Sequence, residues 1–147
     1  MTRILTLGLA FSLLAVASAK VKAPAKFDAT KLVGVWTLTA GVKDGEKLEK
    51  AAGDVTITKD KIALTNDGQT FEFSYKVDAT TTPASIDLEI LAPDAFKGAK
   101  AKGIAAIDGK TFKLAYHPMG SERPKTFDGK KGSGEYTFTL TASEKKK

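Results

Sequence analysis

Apolar and polar side chains alternate without interruption in Phe71-Glu72-Phe73-Ser74-Tyr75-Lys76-Val77-Asp78. Successive side chains of a β-strand point to opposite faces, so this period of two predicts a strand with one buried and one solvated face. Strands of this kind belong to antiparallel sheets, because the strands of parallel sheets are buried on both faces. The stretch therefore predicts an antiparallel β protein.

Seven other runs show a similar alternation. Together with the first stretch, the predicted strands cover 33–39, 55–58, 62–64, 71–77, 86–90, 103–107, 111–116 and 136–141. Eight antiparallel strands with short links bury their edges by closing into a barrel. A two-sheet β-sandwich is the alternative, since its strands alternate in the same way. We expect an all-β fold, a single antiparallel eight-stranded barrel, and the β-sandwich remains the alternative.

The links between the predicted strands are short. Asp108-Gly109 is a two-residue hairpin signal, and Asn66-Asp67-Gly68 marks another turn. Asp44-Gly45 begins a longer connection through residues 46–52. This connection and residues 93–102 are the two segments in which a short helix is considered. Neither segment is long enough for the helical crossover that a parallel sheet requires.

The N-terminal segment has the features of a secretory signal peptide. Arg3 precedes an apolar stretch over residues 4–17, and Ala17-Ser18-Ala19 fits the small-x-small cleavage pattern. The alternative, an uncleaved anchor, needs a longer apolar run of roughly 20 residues. We expect a signal peptide at 1–19, a linker at 20–30, the barrel at 31–142 and a basic disordered tail at 143–147. The mature protein would be secreted or periplasmic, without stable membrane insertion.

The composition narrows the possible chemistry. The chain has no cysteine, which excludes thiolate zinc sites, thiol nucleophiles and disulfides. Its formal net charge of +6 is best explained by solubility, with weak attraction to an anionic surface as the alternative. Nucleic-acid binding needs exposed aromatic rings among basic side chains, whereas the aromatic residues here fall on the apolar faces. We therefore expect no nucleic-acid partner.

Several short motifs occur in a distinctive order. Leu32-x-Gly34-x-Trp36 comes first, and Pro118-x-Gly120-x-x-Arg123-Pro124 comes late in the chain. This order resembles an exported domain family of unknown function that is abundant in planctomycete bacteria and is described as lipocalin-like. The resemblance covers roughly residues 31–140. It implies a calycin-type β-barrel in an envelope or extracellular protein, and it carries no established activity.

Five residues are candidates for contact with a ligand. In lipocalin-like barrels the Trp of a Gly-x-Trp motif closes one end, so the resemblance implies that Trp36 is a plug, with Arg123 as a candidate cation stacked across it. The alternative is that Trp36 is an ordinary core residue and that Arg123 is a residue of the loop surface. The three tyrosines, Tyr75, Tyr116 and Tyr136, carry hydroxyls that need partners when buried. We expect them to cluster at a mouth and form a small amphipathic pocket.

No constellation of residues points to catalysis. His117 is the only histidine, and we interpret it as an exposed loop residue rather than as a metal ligand or a catalytic base. The carboxylates of Asp87 and Glu89 share the wet face of one strand. We therefore predict no enzyme activity, no catalytic or metal-binding residue and no cofactor.

The predicted function is that of an exported barrel which binds a small apolar or amphipathic molecule at one open end. The mouth would be formed by loops 44–53, 93–102 and 117–134. The alternative is a solidly packed barrel that acts as an interaction or inhibitor module for an envelope protein. The expected partner is thus a small lipophilic ligand or an envelope protein, and we expect a monomer.

Overall fold

The computed structural model describes residues 26–118 and 122–144, and almost all of its regular structure is β-strand. The strands are β1 (Gly34–Lys43), β2 (Glu46–Lys47), β3 (Gly53–Ile57), β4 (Lys61–Asn66), β5 (Gln69–Asp78), β6 (Ala84–Ala92), β7 (Lys100–Asp108), β8 (Thr111–Pro118) and β9 (Tyr136–Ala142). Two short 3₁₀ helices cover Ala29–Lys31 and Asp94–Phe96. In the described part of the chain, no helix combines the length and the apolar character needed to cross a membrane.

The sheet closes on itself. Neighbouring strands pair antiparallel in the order β1, β3, β4, β5, β6, β7, β8 and β9, and β1 pairs with β9 along its other edge. The result is an eight-stranded antiparallel barrel, to which β2 adds a two-residue extension on β1. The closure confirms the predicted barrel and excludes the sandwich. All eight predicted strands are present.

Asp-Gly pairs form two of the hairpin turns. Asp44 and Gly45 both have positive φ, as do Asp67 and Gly68, which is the requirement of a two-residue type I′ turn. Asp44-Gly45 thus makes a tight hairpin into β2, and the helix considered for residues 46–52 is not formed. The β7–β8 turn lies one residue later than predicted, because Asp108 still pairs with Thr111.

One end of the barrel is filled by apolar side chains, and we call it the closed end. Leu32, Trp36, Ile57 and Phe112 are almost completely buried there. The Trp36 indole Nε1–H donates to the Leu32 carbonyl oxygen at 2.8 Å, and its ring packs against Phe112 at 5.8 Å between centroids. Phe27 is also buried, so the core begins inside the predicted linker. The predicted signal peptide lies outside the described residues.

The other end of the barrel is less densely filled, and we call it the open end. It carries the end of β1, the start of β5, the end of β8 and the start of β9. The inner-face aromatic residues Phe71, Tyr116, Tyr136 and Phe138 are only half-buried there. The two ends therefore differ in how completely their inner faces are covered.

A segment after β8 folds over the outside of the open half, and we call residues 122–135 the strap. It covers an outer-face row that runs across four paired strands, and the row consists of Ile104, Ala115, Thr137 and Val42. The first three are buried although they point away from the barrel interior. Gly129 lies so close to this row that a Cβ atom would be 3.0 Å from Val42 Cγ1. The strap thus forms a second, outer core.

Candidate functional site

An apolar cavity of about 220 Å³ lies inside the barrel. The strands position its lining because alternate side chains of each point inward. The lining residues are Leu38, Val55, Ile62, Leu64, Phe71, Phe73, Leu88, Phe112, Leu114, Tyr116, Phe138 and Leu140. All but Tyr116 lack a polar side-chain atom. The cavity therefore offers dispersion and hydrophobic contact to a ligand, with one hydroxyl as a polar contact.

The volume of the cavity limits the size of an occupant. Drug-sized ligands occupy clefts of roughly 300–1,000 Å³, which is more than this barrel offers. An apolar cavity of about 150 Å³ in a protein core stays dry and takes up benzene. The barrel interior thus has room for a molecule somewhat larger than a single aromatic ring.

Three aromatic rings form a cluster at the open end. Tyr116 and Tyr136 are a cross-strand pair of β8 and β9, and their rings stack at 5.5 Å with an angle of 9°. Phe138 packs against both rings, at 5.9 Å from Tyr116 and 6.3 Å from Tyr136. Among the described residues, neither tyrosine hydroxyl has a hydrogen-bond partner. Both hydroxyls are therefore available to a ligand or to water.

Burial affects the ionisation of Tyr116. Loss of solvent raises the pKa of its phenol well above the ordinary value, and the neighbouring Tyr136 raises it further. The Tyr116 hydroxyl consequently stays protonated at neutral pH and can donate a hydrogen bond.

A lysine lies beside the aromatic cluster at the open end. Lys43 is paired with Tyr136 across β1 and β9, and its Nζ lies 5.5 Å from the centre of the Tyr136 ring. This distance is within the range of a cation–π contact. Lys43 was not predicted as a site residue, because a β-bulge between Leu38 and Ala40 reverses the alternation in β1. Beyond the bulge, Gly41 and Lys43 share the inner face.

Tyr75 lies apart from the aromatic cluster. Its hydroxyl donates to the Thr58 carbonyl oxygen at 2.6 Å, beside the β3–β4 turn. Partial burial raises the pKa of Tyr75, and the nearby Asp60 carboxylate adds to the effect. The predicted tyrosine cluster is therefore formed by Tyr116 and Tyr136 alone, and Tyr75 does not line the cavity. Trp36 is also outside the cavity lining, at the closed end.

Arg123 anchors the strap. Its Nη1 donates to the carbonyl oxygens of Ile86 at 2.9 Å and Gly103 at 2.6 Å, and its Nη2 lies 2.7 Å from Asp87 Oδ1. The guanidinium thus bridges β6 and β7, and its side chain is 29% exposed. The stack of Arg123 on Trp36 is therefore not formed, and Arg123 lies in the strap, partly exposed on the outside of the barrel.

The strap also corrects the predicted position of loop 117–134. We expected this loop at the mouth of the barrel, but Arg123 and Gly129 lie against the outer wall. Besides the Arg123 contacts, the Gly134 N–H donates to Asp44 Oδ1 at 2.9 Å, which attaches the end of the strap to the β1–β2 turn. Residues 119–121 lie outside the described part of the loop.

His117 is not the exposed loop residue that we predicted. It belongs to β8, is half-buried, and its Nδ1 lies 3.1 Å from the Pro118 carbonyl oxygen. Across residues 26–118 and 122–144, no group of three or more histidine, aspartate or glutamate residues is arranged to hold a metal ion.

Comparison of the chain with protein-family models, with curated proteins and with solved structures finds no match in any of the three.

Proposed function

We propose that this chain is a non-enzymatic barrel that binds a small apolar or amphipathic molecule in its interior. The apolar cavity of about 220 Å³ is the observation that carries the proposal. An apolar ligand that enters it loses contact with water, which contributes roughly 25 cal/mol per Å² of buried apolar surface. The unfilled interior favours this function over a solidly packed barrel that acts as an inhibitor or interaction module.

The proposal includes export and an open-end entrance. The signal-like residues 1–19 and the resemblance to an exported, lipocalin-like family support secretion or a periplasmic location. The half-buried aromatic cluster supports the open end as the route of entry, because the closed end is filled by Trp36 and its neighbours. Fold-level likeness alone would not establish a ligand, so the cavity carries the argument.

Calorimetric titration with a series of primary alcohols, from hexanol to decanol, tests the proposal. We expect saturable binding that strengthens with chain length until the cavity is full. Leu114→Phe places extra volume in the cavity and should weaken binding of the longest alcohol by about tenfold, since displaced apolar contact is worth over 1 kcal/mol. Absence of saturable binding by the whole series would refute the proposal.

Val35→Phe is the matched control for Leu114→Phe. Val35 lies on β1 and is 42% exposed, so the same aromatic ring is added outside the barrel. Alcohol binding by this variant should equal that of the unchanged protein. Equal weakening in both variants would show that the alcohols do not bind in the interior.

A second pair of variants tests the polar contact. Tyr116→Phe removes the hydroxyl that borders the cavity, whereas Tyr75→Phe removes one that is already bonded to Thr58. We expect Tyr116→Phe to weaken alcohol binding by about threefold, in keeping with a neutral hydrogen bond of about 1 kcal/mol or less. Tyr75→Phe should leave alcohol binding unchanged.

A further inference from the structure

The position of Lys43 indicates the charge of the ligand's polar part, which the apolar cavity alone does not indicate. Lys43, Tyr136 and Tyr116 form one cross-strand row over β1, β9 and β8, so their side chains share the inner face. Tyr116 at the end of this row lines the cavity. A cation and two phenols therefore lead from the rim of the open end to the apolar interior.

None of the carboxylates that the structure describes neutralises the Lys43 ammonium group. Within residues 26–118 and 122–144, its described contact is with the Tyr136 ring, and no ion pair involves it. Glu46 pairs with Lys43 across the β1–β2 hairpin but is exposed and makes no ion pair with it. The Asp44 carboxylate is engaged by the Gly134 N–H. A cationic charge is thus left at the rim, on the inner side.

The chemistry of this row suits an anion. Both tyrosine hydroxyls can donate, and hydrogen bonds from a hydroxyl or an ammonium group to a carboxylate are stronger than those between neutral groups. A carboxylate at the rim would therefore meet one positive charge and two donors. Glu46 would oppose it weakly, because it is solvent-exposed and screened.

We propose that the ligand of the barrel is a compact anionic amphiphile, whose apolar part fills the cavity and whose carboxylate lies between Lys43 and the tyrosine pair. This inference rests on the proposed function and names the class of molecule that the same site takes. The cavity volume sets the upper size of the apolar part, and the rim row sets the charge of the polar part.

Titration with octanoate and with octanol, at neutral pH and low salt, tests this inference because the two ligands share an alkyl chain. We expect octanoate to bind about fivefold more tightly than octanol, the effect of a partly exposed ion pair near 1 kcal/mol. Lys43→Gln should remove this preference, so that octanoate and octanol bind the variant with similar affinity. Retained octanol binding also shows that the variant is folded.

Three further variants define the role of the charge. Lys43→Arg keeps the charge and should keep the preference for octanoate. Lys47→Gln is the matched control, because Lys47 pairs with the outward-facing Val42 on the same hairpin, and the preference should persist. Glu46→Gln removes the opposing carboxylate and should increase the preference.

The outcomes separate the two proposals. Octanoate and octanol binding with equal affinity would overturn the anionic assignment and leave the proposed function standing. A preference for octanoate that survives in Lys43→Gln would overturn the role of Lys43. Failure of both ligands to bind would overturn both proposals.

Discussion

The two halves of the barrel are stabilised from opposite sides of the same sheet. At the closed end, Trp36, Ile57 and Phe112 fill the interior. The outer face beside them is exposed to solvent, since Val35 is 42% exposed. At the open end the interior keeps a cavity, and the outer face is covered by the strap. Packing outside the wall thus compensates for apolar contact that is missing inside it.

This difference explains how a barrel without disulfides can keep an internal space. A cavity leaves its lining without partner atoms, which costs stability in proportion to its size. The outer core of Ile104, Ala115 and Thr137 adds buried surface to the strands that line that space. The Arg123 contacts then hold the strap on β6 and β7.

The largest expected effect is at the closed end. Trp36→Ala should lower the free energy of unfolding by about 3–5 kcal/mol, as is usual when a buried Trp is removed. Tyr136→Ala, at the half-buried open end, should lower it by about 1–2 kcal/mol. Urea unfolding followed by circular dichroism measures both. Equal losses would contradict the contrast between the two ends.

The next effect concerns the anchor of the strap. Arg123→Gln should destabilise the protein by about 1.5–3 kcal/mol, because the guanidinium hydrogen bonds to two carbonyls are lost. Asp87→Asn should cost less than about 1 kcal/mol, since Asp87 is 61% exposed and the carbonyl contacts remain. Chemical unfolding of the two variants provides the measurement. A larger loss for Asp87→Asn would mean that the ion pair, rather than the carbonyl bridge, holds the strap.

Thr137→Val should stabilise the outer core by about 1 kcal/mol. The Thr137 hydroxyl oxygen is buried beneath the strap and has no hydrogen-bond partner among the residues that the structure describes. An unsatisfied buried polar group costs about 1–3 kcal/mol. Thr139→Val, on the same strand but half-exposed, is the control and should change little. Destabilisation by Thr137→Val, seen as a lower melting temperature, would show that the hydroxyl is satisfied by water.

The smallest effect is a dependence of the free energy of unfolding on alkaline pH, which is absent at neutral pH. Burial raises the pKa of Tyr116 above 10.0, so the folded state holds its proton after the unfolded state has lost it. The contribution of Tyr116 to stability is therefore complete below pH 10 and is lost as the pH rises through the folded pKa. Unfolding free energies measured across this range should fall less steeply in Tyr116→Phe. An identical slope would contradict the burial of the phenol.

The strands were predictable from sequence because the alternation of residues such as Phe71, Phe73 and Leu88 reflects burial on one face. The closed end was predictable for the same reason, since Trp36 falls on that face. The bulge before Ala40 was not predictable, because the polarity of the β1 sequence does not mark the reversal. The inward position of Lys43 was missed as a result.

The strap was missed for a different reason. Its contacts join residues far apart in the chain, such as Arg123 with Ile86 and Gly103, and no local pattern encodes them. A signal is nevertheless present in the covered strands. Leu114-Ala115-Tyr116 is apolar at three successive positions, which is typical of a strand buried on both faces.

The interior of the open half is an apolar cavity able to admit a ligand. A crystal structure determined under xenon pressure tests it most directly, because xenon enters dry apolar cavities. We predict xenon between Leu38, Phe73 and Leu114, and no xenon there in Leu114→Phe. Side chains that meet across this space, leaving no xenon in the unchanged protein, would contradict the account.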